Sequence, residues 1–171
     1  MCLVTKQSQS KIASKDITCY KVLLALENKI NNIVFYVSPV RHFTYFYNNP
    51  DPDKIFKAEK AYWFENYPCD DLKPCYIDDE GVVNPQPVSY ELNSGFFHMY
   101  KDYDSAIKSI EKTGKIVKSI EKDVKTVKVE TEPSVIFECV IPKGSRYYEG
   151  VTSVHSLPSI ASDKLKIIKQ L

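Results

Sequence analysis

From Thr18 to Leu26 apolar residues occupy both faces of an alternating chain. Thr18, Tyr20, Val22, Leu24 and Leu26 fall on one face, and Cys19, Lys21, Leu23 and Ala25 on the other. A strand covered on both sides produces this pattern. Asn28, Asn31 and Asn32 follow, residues that accept left-handed turn conformations, and Ile33 to Val37 returns as a second strand. The segment predicts a hairpin. Ser38-Pro39 ends the second strand, because proline has no amide proton for the ladder. Arg41 to Tyr47 alternates again, with Phe43, Tyr45 and Tyr47 opposite His42, Thr44 and Phe46, and Asn48 to Asp53 is a turn. Ser134 to Ile141 is apolar on both faces except at Glu138. That predicts a central strand, with Val135, Phe137, Cys139 and Ile141 buried on one side and Ile136 and Val140 on the other. Pro142-Lys143-Gly144 is a turn. A polar loop from Gly150 to Pro158 then precedes a last strand, Lys164 to Lys169.

One stretch changes period. Tyr103, Ile107, Ile110, Val117, Ile120, Val124 and Val127 recur at three- and four-residue steps, with Lys and Glu between them. This predicts one long amphipathic helix from about Asp104 to Val127, capped by Asp102 or Asp104. Lys108-Ser-Ile-Glu-Lys112 recurs as Lys118-Ser-Ile-Glu-Lys122, a local duplication that lengthens the helix, and Gly114 is a place for a kink. Its lysines form a solvated face. Residues 1–15 read as a polar leader, and 54–66 fit a short helix or a strand. Residues 66–93, studded with Pro68, Pro74, Pro85 and Pro87 and carrying an acidic turn at Asp78-Asp79-Glu80-Gly81, read as a flexible or inserted excursion. The fold expected is a single α+β domain over 1–171, mainly an antiparallel β-sheet with one long helix.

Charge narrows the partners. Lys and Arg number 23 against 22 Asp and Glu, a formal net charge of +1. Such balance offers no long-range field for nucleic acid. No apolar run approaches the about 20 residues that span a bilayer, and Met1 to Lys6 is too short an apolar stretch for a secretory signal. A soluble, cytoplasmic protein is expected, in the host cytoplasm or a virion if phage-borne. Its five scattered cysteines are expected to be free thiols. The 12% aromatic residues, led by Tyr, suit half-buried sheets and binding surfaces alike. A protein partner or a homo-oligomer fits such a surface.

No complete catalytic set emerges, no metal site is expected, and the sequence leaves any cofactor open. There is no Gly-rich phosphate loop and no Gly-x-Ser-x-Gly elbow. His42, His98 and His155 are far apart. His98 draws attention because its strand immediately precedes the helix, where pockets form. Glu138 does so because a carboxylate on an apolar strand needs a partner; Lys21 and Arg41 are the cations expected to pair with it. A ligand site is therefore placed on Lys21, His98 and Glu138, with Tyr20 and Tyr147 as aromatic walls. These three would join a cation, a base and an acid around a small anionic ligand.

Several segments carry a resemblance. Met1-Cys2-Leu3-Val4-Thr5-Lys6, Cys19-Tyr20-Lys21-Val22-Leu23, Gly95-Phe96-Phe97-His98, Ile141-Pro142-Lys143-Gly144-Ser145-Arg146-Tyr147-Tyr148-Glu149-Gly150 and Ala161-Ser162-Asp163-Lys164 look like a family of short proteins of uncharacterised activity. That family is common in gut bacteria of the Bacteroides group and in their phages. The likeness implies a phage-related binding or regulatory protein: an accessory, virion or counter-defence factor. The order of elements is also distantly similar to ADP-ribosyltransferase-like domains. These run from a Tyr-Arg strand, through a strand that feeds a helix, to a strand ending in a Pro-Lys-Gly-Thr type turn. This likeness implies an enzyme acting on NAD or a nucleotide. Lys21 stands where that family has its phosphate-gripping arginine, and Ser162-Asp163 where it has its catalytic glutamate. Lysine lacks the planar fork that grips phosphate at two points.

Overall fold

Both two-sided apolar segments come together at the middle of the sheet. The structure, a computed structural model, describes residues 3–28, 30, 32–39, 44–58, 72–92, 95–112 and 133–171. Within them lie β1 (Leu3–Thr5), β2 (Lys11–Ile12), β3 (Ile17–Asn28), β4 (Ile33–Val37), β5 (Thr44–Tyr47), β6 (Phe56–Lys57) and β7 (Leu72–Cys75). There follow β8 (Ser89–Leu92), β9 (Phe97–Tyr100), a helix α1 over 103–112, β10 (Ser134–Ile141), β11 (Arg146–Thr152), β12 (Pro158–Ser162) and β13 (Lys164–Gln170). Strands neighbour one another in the order β6-β13-β10-β3-β9-β12-β11-β1-β8-β7. β2 pairs with β11, and the β4–β5 hairpin branches from β3. The pairings among the described residues are antiparallel. The expected α+β class, dominated by an antiparallel sheet, is what the chain forms.

The length of β3 lets it organise the rest. β10 runs along one edge, from Ser134 opposite Leu24 to Ile141 opposite Ile17. On the other edge β9 meets Tyr20 through Tyr100, and β4 takes over from Leu24 onward. The sheet therefore forks beside β3: the β4–β5 hairpin folds over one face of the strand, and α1 covers the other.

One face carries Cys19 and Leu23 of β3 with Phe137, Cys139 and Ile141 of β10, Leu165 and Ile167 of β13, Met99 of β9 and Ile160 of β12. The β4–β5 hairpin covers it. Tyr36 and Phe46 stand edge-on to Phe137 at 5.1 and 5.2 Å, and Tyr45 edge-on to Phe56 at 5.4 Å. Such aromatic pairs add about 0.5–1.5 kcal/mol each beyond the area they bury. The opposite face carries Tyr20, Val22, Tyr100 and Ile136 against Ala106, Ile107 and Ile110 of α1. Asp102 caps that helix, its Oδ1 accepting the Ser105 amide at 2.8 Å. The continuation expected to Val127 lies outside the described residues. A smaller cluster of Leu3, Leu92, Phe96, Tyr148 and Ala161 fills the far end of the sheet. There the β11 backbone approaches β1 so closely that a Cβ at Gly150 would lie 2.0 Å from the Val4 carbonyl oxygen.

The hairpin, the central strand and the last strand form where the pattern places them, with Asn32 left-handed at φ 54° between β3 and β4. Val135 and Val140 are half-buried rather than buried. Strands appear in three segments read as irregular: β1 and β2 in the leader, β7 and β8 within 66–93, and β11 and β12 across the polar loop. All six are short or built from small and polar residues, so no run of alternation reveals them. Ser159 and Ser162 are buried as fully as Ile160 beside them. β7 tolerates Pro74 because it ends the strand order, where a missing ladder donor is harmless. Cys19, Cys75 and Cys139 are free thiols, while Cys2 and Cys69 lie outside the described residues. No helix among the described residues is long and apolar enough to cross a membrane.

Candidate functional site

Lys21 lies on the face of β3 that packs under the β4–β5 hairpin, and its residue is only 6% exposed. Its Nζ donates to the His98 carbonyl oxygen at 2.8 Å and sits 5.1 Å from the centre of the Tyr45 ring. A carbonyl and a ring face together replace part of an ammonium's hydration. Two thiols flank it in register, Cys19 two residues before on β3 and Cys139 directly across from Cys19 on β10. Burial pushes the Cys139 thiol up to about 12, against the pull of the Lys21 charge. Burial and the neighbouring Cys139 push the Cys19 thiol well above its ordinary value. Neither thiol is a nucleophile in this setting, because the thiolate is the reactive form.

Glu138 points the other way. It pairs in register with Tyr20, whereas Phe137 pairs with Lys21, so the carboxylate and the ammonium project to opposite faces of the β3–β10 pair. Lys21 is not its partner, and Arg41 lies outside the described residues. The Glu138 carboxylate is 3.7 Å from Lys169 Nζ on β13, and both side chains are partly in water. The pairing follows from register, since β13 brings Lys169 alongside Glu138.

His98 alternates with Phe97 and Met99, which face the first core, so its side chain shares the helix side of the sheet with Tyr100. It contributes its backbone carbonyl to Lys21 and its half-buried ring to the other face. Tyr20 lies on the helix side too, edge-on to Tyr103 at 5.8 Å. Tyr147 packs partly buried against the first core. The five residues thus divide between two faces, Lys21 and Tyr147 on one, Tyr20, Glu138 and the His98 ring on the other. The expected convergence of Lys21, His98 and Glu138 on one ligand does not occur, because adjacent register positions across an antiparallel pair face opposite ways.

Two further clusters were not legible beforehand. Asp163 receives the Arg146 amide at 2.9 Å and Arg146 Nε at 3.3 Å, while Ser162 Oγ donates to the Arg146 carbonyl at 2.9 Å. The two residues lock the β12–β13 corner onto the start of β11. Glu149 accepts from Lys11 at 3.0 Å and Lys101 at 2.7 Å, and these two cations hold its carboxyl below the usual range. Both clusters join residues more than fifteen positions apart, which no local spacing announces. The Pro142–Ser145 turn is held by the Ser145 amide on the Pro142 carbonyl at 3.1 Å and by Gly144 at φ 81°. Among the described residues, no three His, Cys, Asp or Glu side chains gather in a way that would hold a metal ion.

No protein-family model, no curated protein and no solved structure matches the chain.

Proposed function

We propose that this chain is a non-enzymatic binding or regulatory protein of the accessory, virion or counter-defence kind that phages carry. The observation that supports this reading most is where the chemically capable residues are spent. Lys21 is buried on a backbone carbonyl and a ring, the neighbouring thiols stay protonated, and Glu138 pairs with Lys169 on the other side of the sheet. Among the described residues, no acid, base and cation of the expected set meet at one place to act on a substrate.

A second reading, an ADP-ribosyltransferase-like enzyme acting on NAD or a nucleotide, draws on the order of elements. A strand bearing Tyr20-Lys21, a strand feeding a helix at 97–112, and a strand closing in the Pro142-Lys143-Gly144-Ser145 turn follow one another as that likeness implies. Against it stand Ser162 and Asp163, which hold Arg146 in place and leave no late carboxylate free to steer the sugar cation. Calorimetric titration with NAD and with ADP-ribose, beside a transfer assay with labelled NAD, separates the two. The binding-protein reading expects no saturable heat and no label transfer; saturable binding with transferred label would overturn it.

A further inference from the structure

Beyond β7 the chain forms a ribbon over 76–83. Ile77 bridges Val83, the Asp78 amide donates to the Val82 carbonyl at 3.1 Å, and the Asn84 amide to the Tyr76 carbonyl at 2.6 Å. Asp78 fastens the tip from inside, its Oδ1 accepting the Glu80 and Val82 amides and its Oδ2 accepting from Asn84 Nδ2. The ribbon is well tied together, yet it buries little. Tyr76, Ile77, Val82 and Val83 are exposed by 44, 55, 54 and 75%. Four large apolar side chains in eight residues, on both faces of the ribbon, form a projecting apolar knob. Its charge is one-sided: residues 74–90 contain Asp78, Asp79 and Glu80, and no Lys or Arg.

The other end of the strand order has the opposite character. Lys57 on β6 stands directly across from Lys164 on β13, and Lys166 follows on the same face. Like charges placed opposite each other repel. Lys57, Lys164 and Lys166 have no carboxylate within ion-pair distance among the described residues. Of the nearby acids, Glu138 is held by Lys169 and Asp163 by Arg146, while Asp51 binds the Asp53 amide in the turn before β6. Ile55, 44% exposed, adds an apolar contact beside these lysines.

We infer that the acidic, apolar ribbon at the β7 end docks on the lysine-bearing β6–β13 end of a second copy of this chain, giving head-to-tail assembly. Three observations choose a second copy as the occupant. The two ends are complementary in charge, each offers exposed apolar surface, and a net charge of +1 leaves copies without long-range repulsion. The interface joins two different patches, so it leads to rings or open filaments rather than a closed two-fold dimer. Such assembly stands apart from the functional reading above and holds for a binding protein and an enzyme alike.

Sedimentation velocity of the full chain from about 1 µM to about 1 mM, the range of weak association, tests it. The average mass should rise from 19.6 kDa through multiples of it. It should fall back in about 1 M salt, where the screening length shrinks to about 3 Å. Ile77→Asp with Val83→Asp removes the ribbon's apolar contact, and Lys57→Glu with Lys166→Glu reverses the other end. Each double variant alone should stay monomeric at every concentration. Mixed, they should form one-to-one pairs and nothing larger, because each retains one working end. Circular dichroism and unfolding midpoints matching the parent confirm intact folds, and Val83→Asp alone replaces the ribbon variant if the pair fails to fold. A parent monomeric throughout, association retained by either variant, or a mixture that stays monomeric would each overturn the proposal. A monomeric parent would leave the ribbon to a different protein.

Discussion

In the β3–β10 pair an ammonium and two thiols lie sealed among apolar side chains; in the 76–83 ribbon four apolar side chains and the carboxylates of Asp79 and Glu80 stand in water. The first region places reactive groups where they cannot react, and the second places adhesive groups where a core would normally claim them. The contrast teaches where to look for this protein's work. Side-chain chemistry serves the fold at the centre, and exposed apolar side chains stand at both ends of the strand order. Each variant below removes one support of that contrast.

Phe137 carries the largest expected effect. It is fully buried and takes the edges of Tyr36 and Phe46. Phe137→Ala should cost about 3–5 kcal/mol in denaturant unfolding. A loss below about 1 kcal/mol, the range of surface changes, would mean that the centre is not the sealed region described. Gly150→Ala comes next. Its new methyl meets the Val4 backbone rather than a movable side chain, so a loss of about 1–3 kcal/mol is expected. An unchanged midpoint would show that β1 and β11 have room to part.

The contrast between centre and surface was half legible in the sequence. Segments such as 18–26 and 134–141 announced themselves because two-sided burial demands apolar residues at most positions, and eight or more positions in a row leave a clear signal. β12 left none, since Ser159, Ala161 and Ser162 achieve burial through small size rather than hydrophobicity. The acidic turn at Asp78–Gly81 was legible, but the strands around it hid behind their prolines. Pro85 and Pro87 suggested an irregular excursion, yet the chain returns as β8 to pair with both β7 and β1. The site was legible only in its parts. Lys21 and Glu138 were each recognised as charged residues on apolar strands, but whether they meet depends on the register between β3 and β10. A one-residue difference in register exchanges the faces, and nothing local to either strand fixes it. Lys21's real partners, a backbone carbonyl on β9 and a ring on β5, carry no sequence signal at all.

The two thiols give the centre a pH signature. Burial raises both above the ordinary value of 9, Cys139 to about 12, so the folded chain holds protons that the unfolded chain releases. The stability they contribute is complete below pH 9 and is lost as pH climbs toward 12. Tyr100, also raised by burial, steepens the fall above pH 10. Unfolding free energy measured from pH 8 to pH 11 should therefore decline, and less steeply in Cys139→Ala. Equal slopes would mean that the thiol reaches water.

Lys21 decides most directly whether the centre is structural. A residue kept for ligand binding commonly burdens the fold, and replacing it stabilises. A residue that completes the fold costs stability when removed, here through loss of the charge-assisted bond to the His98 carbonyl, at about 1.5–3 kcal/mol. Lys21→Met keeps the length and removes the charge and the donor. Denaturant unfolding at neutral pH should show a loss of that size, with the slope against denaturant unchanged; stability equal to or above the parent would contradict the account and return Lys21 to the list of functional residues.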